Sequence, residues 1–492
     1  MTLHDFKGKK VTVMGIGLHG GGLGVINFFY QAGAKIIATD LRTRRELRES
    51  LDALRIFKGI RYVLGQHREE DFKNTDLVIK NPAVPDDSKY LKIARAAGVP
   101  VETDIGIFFE LCPGQIIGVT GSRGKSTTAA LIHQFLKAKH PDTVLAGNIR
   151  MSVLEKLQEI QRTTLVVLEL SSWQLNGLAK HKKSPKMAVM TNFMPDHQNR
   201  YRSMKKYLED KKIIYKFQTA KDFLILNYDD ETLKKLVPEV KSKIYYYSAD
   251  AQAVTELENL PKTNQETRIG ARLSGDKIFF GAAKEPIAAM PDIKLLGEHN
   301  LHNILAAVTV ARLFNVPVRI IKKILQEFPG LQGRLELVSE INGIKYFNDT
   351  TATIPEATIA AIEALTNRYS LAANQLILIA GGADKNLNFS ELARLITKKT
   401  KAVLLLAGTA THKLGSEIKK HIFALNQNKK SRSKLIIKIF NNLPFAVTFA
   451  SKIAEKEDII LLSPGCASFG MFRHEFERGE IFNDAVASLK ND

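Results

Sequence analysis

The segment Gly118-Val-Thr-Gly121-Ser-Arg-Gly124-Lys125-Ser126-Thr127 constrains this chain more than any other, because it dictates a local backbone shape. An apolar, β-branched run (115–120) leads into it and a helical pattern (126–139) follows it. Glycines at these spacings expose backbone N–H groups to phosphate oxygens, Lys125 supplies a cation for the β and γ phosphates, and the Ser126 hydroxyl can reach Mg²⁺. The spacing therefore predicts a phosphate-binding loop between a strand and a helix of an α/β sheet.

A second glycine-rich turn lies near the N-terminus. The pattern Gly-x-Gly-x-x-Gly at 15–20 follows a strand-like run (10–15), precedes a helical pattern (25–32), and is followed by Asp40 at the end of another strand-like run. Such a unit brings the backbone close to a diphosphate at a helix N-terminus. It predicts a nucleotide or dinucleotide site without separating NAD from a UDP-linked ligand, and a tight turn with no ligand is the alternative.

Strand-like and helical patterns alternate along the whole chain, which favours parallel sheets. At 492 residues the chain is too long for one hydrophobic core. Further strands are expected at 62–64, 76–79, 99–102, 164–168, 187–191, 223–227, 343–348, 375–380, 402–407, 435–440 and 459–462. We predict an α/β protein of three domains, at 1–104, 105–330 and 331–492, with the phosphate loop on the mostly parallel sheet of the second.

The composition narrows the class of protein. Hydrophobic residues make up 45% and charged residues 25%, as in soluble globular proteins, and no uninterrupted apolar run is long enough to span a membrane. Two cysteines, Cys112 and Cys466, argue against a disulfide framework and for a reducing compartment. We therefore expect a cytoplasmic protein. The net charge of +20 predicts anionic partners, whether phosphorylated small molecules, nucleic acid or lipid.

Polar residues follow several other predicted strands. Glu169 ends an apolar strand, where a phosphate-loop enzyme places a second Mg²⁺ contact, and Asp196-His197 follows the next strand. The segment 297–303 starts a helix with Asn300 and Asn303 one turn apart. Three loops of the last domain, 348–353, 381–385 and 463–468, each follow a strand, and ligand loops of open α/β sheets lie at such ends.

With these segments assembled, the whole chain resembles the Mur ligase family. The phosphate loop carries the family's offset, with Gly118 seven residues before Lys125 where the strict pattern has a glycine at the position of Val119. The other matching motifs, in the family's order, are Glu169-Leu-Ser-Ser-x-Gln, Asp196-His197, His299-Asn-x-x-Asn303, Arg334, Asn348-Asp349, Gly381-Gly-x-Asp-Lys385 and Ser463-Pro-Gly-Cys-Ala-Ser468. They span nearly the whole chain. The N-terminal glycine-rich turn, with Asn81-Pro-Ala-Val-Pro85, is similar to the family's UDP-binding domain rather than to a dinucleotide site.

The resemblance implies a Rossmann-like UDP-binding domain, a central ATPase-like domain and a Rossmann-like C-terminal domain that binds an amino acid. It implies an ATP-dependent amide ligase of peptidoglycan precursor synthesis that adds D-glutamate to UDP-N-acetylmuramoyl-L-alanine through an acyl phosphate, giving ADP and phosphate. The implied partners are these small molecules, with two Mg²⁺ sites and with neither nucleic acid nor membrane, and the expected form is a monomer.

The resemblance also implies a carbamylated lysine, which the pattern Tyr207-x-x-x-Lys211-x-x-x-Tyr215 places at Lys211. An ammonium would repel Mg²⁺, whereas a carbamate is an anionic oxygen ligand. The neighbouring Lys212 and a plain solvated lysine helix are the alternatives.

The resemblance assigns roles to individual residues. The implied catalytic residues are Lys125, Glu169, His197 and Lys211, and the implied metal ligands are Ser126, Glu169, His197 and carbamylated Lys211. ATP would be bound by Gly121, Ser122, Arg123, Gly124, Lys125, Ser126, Thr127, Asn300, Asn303, Arg334 and Asp349. The UDP substrate would be bound by Gly17, Leu18, His19, Asp40, Arg42, Asn148, Ser171 and Ser172, and D-glutamate by Thr353, Lys385 and Ser468.

Three positions depart from the family's pattern. Arg123 stands where asparagine is usual, Gly333 where histidine precedes the arginine, and Thr351 where a lysine is usual. The last departure removes a cation that would face the acyl phosphate or the amino acid, so the amino-acid choice is the part of the function most open to change.

Other functions remain as alternatives. Within the family, the chain could add L-alanine or a later residue, and a folylpolyglutamate-type ligase would lack the N-terminal domain. A basic phosphate-loop protein that binds nucleic acid fits the +20 charge, but no aromatic platform or recognition helix accompanies the basic residues. An NAD-dependent oxidoreductase would use the first glycine-rich turn.

Overall fold

The computed structural model describes residues 2–18, 20–147, 152–195, 201, 203–250, 252, 255–256, 267–372, 374–427 and 435–490. The chain divides into two compact units, the first formed by Met1–Asp292 with Leu301–Ile324 and the second by Ile293–Asn300 with Leu325–Asp492. Two sheets lie in the first unit and one in the second. Among the described residues, no helix has both the length and the apolar character needed to cross a bilayer.

The N-terminal sheet is parallel, with strand order β3-β2-β1-β4-β5. This is the order of half of a doubly wound nucleotide-binding fold, and it places the turn after β1 at the point where the strand order reverses. Its elements are β1 Lys10–Met14, α1 Gly21–Gln31, β2 Lys35–Asp40, α2 Arg48–Ala53, β3 Arg61–Leu64, α3 Glu70–Lys73, β4 Leu77–Lys80, α4 Lys89–Ala96 and β5 Val101–Glu102.

The central sheet has nine strands in the order β14-β13-β12-β11-β10-β9-β6-β8-β7 and is parallel from β12 to β7. The phosphate loop follows its strand β6, whose neighbours are β8 and β9. Its elements, with the adjoining helices, are α5 Asp104–Leu111, β6 Gln115–Thr120, α6 Lys125–Lys137, β7 Val144–Gly147, β8 Leu165–Glu169, α7 Ser172–Leu178, β9 Met187–Met190, α8 Met204–Lys216, β10 Phe223–Asn227, α9 Glu231–Lys234, β11 Lys243–Ser248, β12 Thr267–Ser274, β13 Lys277–Phe280, β14 Ala288–Ala289, α10 Glu298–Leu313 and α11 Val318–Glu327.

The third sheet lies in the second unit and has the order β15-β16-β20-β17-β18-β19. Alternate residues of β17 enter two different apolar clusters, one shared with α12, α13 and α14 and the other with α15 and α16, so both faces of the sheet are covered. Its elements are β15 Glu336–Ile341, β16 Ile344–Asn348, α12 Pro355–Arg368, β17 Leu376–Ala380, α13 Ser390–Lys399, β18 Ala402–Leu406, α14 Thr411–Gln427, β19 Ile436–Phe440, α15 Leu443–Ile453, β20 Ile459–Leu462 and α16 Glu475–Ser488.

The predicted α/β fold is confirmed, and the predicted strands lie within one or two residues of the observed ones. The sequence did not predict strands β7, β11, β12, β13, β14 and β15, and with them it missed the antiparallel pairs β12–β13, β13–β14 and β15–β16. Of these, β12, β13 and β15 are partly exposed, so they lack the continuous apolar run that marks a buried parallel strand.

The N-terminal and central sheets belong to one unit because a single hydrophobic core runs through both, from Phe6 to Tyr246. Polar contacts reinforce this unit. The ring nitrogens of His181, in the central part, each lie 3.0 Å from a carboxylate, Nε2 from Glu102 and Nδ1 from Glu110. These contacts, first of all the one with Glu102, raise the pKa of His181.

Candidate active site

The phosphate loop has the backbone shape that its glycines predict. It turns through Gly121 and Gly124, and Gly124 has a left-handed φ of 79° at the N-cap of α6. A Cβ at Gly124 would overlap Oδ1 of Asn303, the atom that accepts a hydrogen bond from the Thr128 hydroxyl at 3.2 Å. Asn303, a predicted ATP contact, therefore lies directly against the loop. The first turn of α6 faces any bound phosphate with N–H groups and the positive end of the helix dipole.

The segment that follows β9 holds the phosphate loop through hydrogen bonds. Asn192 accepts the Ser122 N–H on its carbonyl at 3.0 Å and the Arg123 N–H on Oδ1 at 2.9 Å. The Thr191 hydroxyl donates to the Arg123 carbonyl at 2.6 Å. Since Asn192 engages these two amides, a phosphate would meet the N–H groups at the start of α6. Asn192 is not among the residues predicted from the sequence, although its position in a polar segment that follows a strand was a usable signal.

Two lysines meet at one carbonyl of the loop. Lys125 donates from Nζ to the Gly121 carbonyl at 3.1 Å and to the Ser122 carbonyl at 3.0 Å. Lys211, on α8, donates from Nζ to the same Gly121 carbonyl at 2.7 Å, and its side chain is only 1% exposed. The structure thus brings together the two lysines that the sequence analysis placed in the catalytic site.

Lys211 and Lys212 have different surroundings. The Tyr207 ring lies 4.7 Å from Nζ of Lys211, and its hydroxyl lies 3.3 Å from Oγ of Ser122, so this face of α8 packs on the phosphate loop. Lys212 instead pairs with Glu209 at 3.0 Å and with Glu239 at 2.8 Å. Burial lowers the pKa of Lys212, but its hydrogen bonds to Glu239 and Glu209 outweigh this and raise it. The solvated-lysine alternative does not describe Lys211.

Glu169 lies beside the loop at the end of β8, where Val119 of β6 is its partner in the parallel register. Its side chain is 2% exposed. The predicted metal ligands Glu169 and Ser126 therefore lie at the same sheet edge, whereas Asp196 and His197 lie outside the described residues. Within the described part of the chain, no group of three or more His, Cys, Asp and Glu side chains is arranged around a common point.

The glycine-rich turn after β1 is tied to the end of β2. Asp40 is 4% exposed and accepts hydrogen bonds from the Gly17 N–H at 3.0 Å and the Arg42 N–H at 2.9 Å. Gly17, Asp40 and Arg42, all predicted UDP contacts, are thus adjacent, with Asp40 holding the turn. Leu18 is exposed beside them, and His19 lies outside the described residues.

The other predicted UDP contacts lie at the start of α7. Ser171 is its N-cap, where its hydroxyl accepts the Gln174 N–H at 3.3 Å and Gln174 Oε1 accepts the Ser171 N–H at 3.0 Å. Ser172 is buried. Ser171 stabilises the helix start at the edge that carries Glu169, and Asn148 lies outside the described residues.

In the second unit, the loops after β16, β17 and β20 meet, as the sequence predicts for neighbouring parallel strands. The Gly381 N–H donates to the Pro464 carbonyl at 2.8 Å, Ala383 and Ala467 form a two-way bridge, and the Gly465 N–H donates to the Ala352 carbonyl at 2.9 Å. The predicted D-glutamate contacts lie on these loops. Lys385 is exposed, Thr353 is half-buried and Ser468 is buried.

Arg478, on α16, holds two of these loops together and was not found from the sequence. It is fully buried and donates from Nη2 to the Thr350 carbonyl at 2.8 Å and from Nη1 to the Cys466 carbonyl at 3.3 Å. Burial lowers its pKa to about 10. No sequence signal separates it from the exposed Arg473 on the same stretch of chain.

The remaining predicted ATP contacts, Asn300, Arg334 and Asp349, lie in the second unit. Asn300 is buried and donates from Nδ2 to the Leu296 carbonyl at 2.6 Å. Arg334 is exposed. Asp349 is buried, and its carboxylate accepts hydrogen bonds from the Leu335 N–H at 3.2 Å and the Ser463 hydroxyl at 2.7 Å.

Burial raises the pKa of Asp349 to about 7, against the lowering effects of Ser463, the Leu335 N–H, Arg334 and Arg478. Between the pKa of an unfolded aspartate, about 4, and this value, the folded state binds more protons than the unfolded state. The free energy of unfolding therefore falls as the pH rises through that window.

We expect the variant Asp349→Asn to lose this pH dependence. In the wild type the group lowers the free energy of unfolding by on the order of 4 kcal/mol between pH 4 and pH 7. Chemical denaturation of both proteins at several pH values measures the difference, because other titrating groups contribute equally to both. Equal slopes for the two proteins would contradict the assignment.

Comparisons with known proteins cover nearly the whole chain. Family models match residues 9–103 as "Mur ligase MurD-like, N-terminal domain", 119–311 as "Mur ligase middle domain" and 333–466 as "Mur ligase, glutamate ligase domain". A protein of Roseiflexus sp. (strain RS-1) named UDP-N-acetylmuramoylalanine--D-glutamate ligase is 43% identical over 98% of this chain and 99% of its own length. Proteins of the same name from Acetivibrio thermocellus and Clostridioides difficile are 36% and 32% identical, each over 99% of this chain and 99% and 100% of their own lengths.

Solved structures share the fold at low sequence identity. A UDP-N-acetylmuramate-alanine ligase, MurC, from Thermotoga maritima has a TM-score of 0.62 at 16% identity, covering 98% of this chain and 99% of that one. A MurF ligase from the same organism, solved in complex with ADP, has a TM-score of 0.53 at 16% identity, covering 99% and 97%. With relatives matched from end to end and three Mur ligase domain models in order along the sequence, this chain belongs to the Mur ligase family.

Proposed function

We propose that this protein joins D-glutamate to UDP-N-acetylmuramoyl-L-alanine at the expense of ATP, a step of peptidoglycan precursor synthesis. The relatives matched along nearly their whole length carry that name. The structural observation that carries the proposal is the convergence of Lys125 and Lys211 on the Gly121 carbonyl of the phosphate loop. When both are unmodified, these two ammonium groups repel each other, and either a bound polyphosphate or the conversion of one of them to an anion would offset that repulsion.

The residues at the loop fit ATP and Mg²⁺. Gly124 admits the close approach of a phosphate, and Asn303 lies against it. The Ser126 hydroxyl and the Glu169 carboxylate are oxygen donors of the kind that Mg²⁺ prefers, and we assign them to one metal ion. When bound, Mg²⁺ neutralises charge on the transferring phosphoryl group. His197 would contribute to a second ion.

We infer that Lys211 is carbamylated and serves the second metal ion. In that reaction the neutral amine adds to carbon dioxide, an N–C bond forms and one proton is released. The product is an anion, so the repulsion between Lys211 and Lys125 becomes an attraction. Its 1% exposure would protect the group from water, and the two ion pairs of Lys212 support Lys211 as the better candidate.

The chemistry has two bond exchanges. A substrate carboxylate oxygen attacks the γ-phosphorus, and the bond from that phosphorus to ADP breaks. The amine of D-glutamate then attacks the acyl carbon, the bond to phosphate breaks, and the nitrogen loses a proton. Lys125 would stabilise the phosphoryl group during its transfer, because two carbonyls hold Nζ over the loop. The other residues of the site would position the reactants, since the reactants are anions that repel each other.

Each of the three predicted domains would hold one of the substrates. Residues 1–104 would hold the UDP group at Gly17, Asp40 and Arg42, residues 105–330 would hold ATP, and residues 331–492 would hold D-glutamate at Thr353, Lys385 and Ser468. Lys385 would pair with a carboxylate of the amino acid. A monomer in the cytoplasm, where ATP and UDP-linked precursors are found, fits this activity.

The test is phosphate release by the purified protein with ATP, Mg²⁺ and UDP-N-acetylmuramoyl-L-alanine plus one amino acid at a time. We expect release only with D-glutamate, accompanied by a UDP product heavier by one glutamate residue. L-glutamate is the matched control. Release with L-alanine and UDP-N-acetylmuramate, or no release with D-glutamate, would overturn the proposal.

A further inference from the structure

Arg334 is carried by a turn of unusual backbone conformation. The residues on either side of it both have left-handed φ values, 69° at Gly333 and 46° at Leu335. This region is open to glycine but unfavourable for leucine, so tertiary contacts must hold it. The Gly333 backbone is buried whereas the Arg334 side chain is exposed. The turn therefore presents a guanidinium group on a fixed backbone.

Thr351 makes two of the contacts that hold the turn. Its N–H donates to the Gly333 carbonyl at 3.1 Å, and its hydroxyl donates to the same carbonyl at 3.0 Å. That carbonyl belongs to the peptide group that joins Gly333 to Arg334. Two donors on one carbonyl fix the plane of this peptide, and with it the direction in which the Arg334 side chain leaves the backbone.

Further contacts hold the turn that carries Arg334. The Leu335 N–H donates to Asp349, and the Gly333 N–H donates to Oε2 of Glu336 at 2.8 Å. A Cβ at Gly333 would lie 2.8 Å from Cγ2 of Thr350. The loop after β16 and the turn thus fit each other only with a residue lacking a side chain at 333.

We propose that Thr351 is a positioning residue for Arg334, acting through the Gly333 carbonyl, and not a contact for the incoming amino acid. Its single hydroxyl proton is used on Gly333, so it is not available to donate to a carboxylate. The proposal rests on the proposed function and on the assignment of Arg334 to the nucleotide, which the family resemblance implies. Thr351 then sets nucleotide affinity, although its loop also carries Thr353, which we assign to D-glutamate.

The test uses Thr351→Val, which removes the hydroxyl but keeps the branched shape and the N–H bond. We expect the Kd for fluorescently labelled ADP and the KM for ATP to rise about fivefold to tenfold, the loss of one hydrogen bond, with the KM for D-glutamate unchanged. Thr351→Ser restores the hydroxyl and should restore nucleotide affinity. Thr366→Val, at a buried threonine of α12 bonded to its own helix, is the matched control and should leave the Kd for ADP unchanged.

A double-variant cycle separates positioning from direct contact. If Thr351 acts through Arg334, then Thr351→Val should add nothing to the loss of ADP affinity caused by Arg334→Gln. Additive losses, or a raised KM for D-glutamate with an unchanged Kd for ADP, would overturn the proposal. Faster amide hydrogen exchange over 331–337 in Thr351→Val is a readout that needs no turnover, and unchanged exchange there would also overturn it.

The ADP measurements stay informative if the proposed function fails. A wild-type protein that binds ADP but does not use D-glutamate contradicts the ligase assignment while the cycle still tests Thr351. A wild-type protein that binds no ADP contradicts both.

Discussion

Replacing Lys125 with alanine is expected to lower kcat by about a thousandfold, the scale seen when one preorganised donor to a developing charge is removed. The ammonium group lies over the phosphate loop on the Gly121 and Ser122 carbonyls, where a transferring phosphoryl group would meet it. The fold should survive, because the variant loses only the two part-buried hydrogen bonds from Lys125 to the Gly121 and Ser122 carbonyls. We expect the thermal midpoint to stay within about 3 °C of the wild type.

Phosphate release and thermal unfolding, measured side by side, check this expectation. Lys137→Ala removes an exposed lysine from the other end of the same helix α6 and should keep wild-type kcat. Wild-type turnover by Lys125→Ala would show that phosphoryl transfer does not take place at this loop.

Replacing Lys211 with alanine is expected to lower kcat by a factor similar to that for Lys125→Ala. Added acetate or formate should restore part of the lost activity. The reason is chemical: if Lys211 is a carbamate, what the variant loses is an anionic oxygen ligand, and a small carboxylate can occupy the space left by the side chain. An ammonium group would not be replaced by an anion. Rescue by carboxylates therefore distinguishes a carbamate from a plain buried lysine.

Lys212→Ala is the control for Lys211. This neighbour is held by Glu209 and Glu239 on another face of α8, so its loss should cost about 1 kcal/mol of stability or less and leave kcat near the wild-type value. A carbamate signal from ¹³C-labelled bicarbonate should appear in the NMR spectrum of the wild type and be absent from Lys211→Ala. Full activity of Lys211→Ala, or rescue by ammonium compounds rather than carboxylates, would contradict the carbamate.

The phosphate loop is the part of the site that the sequence predicts best. Its geometry is local: the glycines admit the left-handed turn at Gly124, the apolar run before it forms β6, and the helical pattern after it forms α6. The same holds for the turn after β1 and for the loops after β16, β17 and β20, because parallel neighbouring strands place their following loops at one edge.

The different surroundings of Lys211 and Lys212 could be seen only in the tertiary structure. Adjacent residues of a helix point about 100° apart, so one faces the phosphate loop and the other faces Glu209 and Glu239. The sequence pattern favours Lys211 but keeps Lys212 as an alternative, because both lie in the same basic helical pattern. The packing of α8 on the loop, through Tyr207, supports Lys211.

Contacts between distant parts of the chain were likewise beyond the sequence. Arg478 joins the loops at Thr350 and Cys466, Asn192 orients the phosphate loop, and Thr351 holds the turn that carries Arg334. Each of these contacts is a hydrogen bond between segments that are separated in sequence. The periodicity of apolar residues does not indicate such a bond. The sequence by itself determined the α/β fold, the phosphate loop and the family, since these follow from local backbone preferences and from motif order. The tertiary structure alone decided which polar side chains hold the loops, because a hydrogen bond depends on where two folded segments meet.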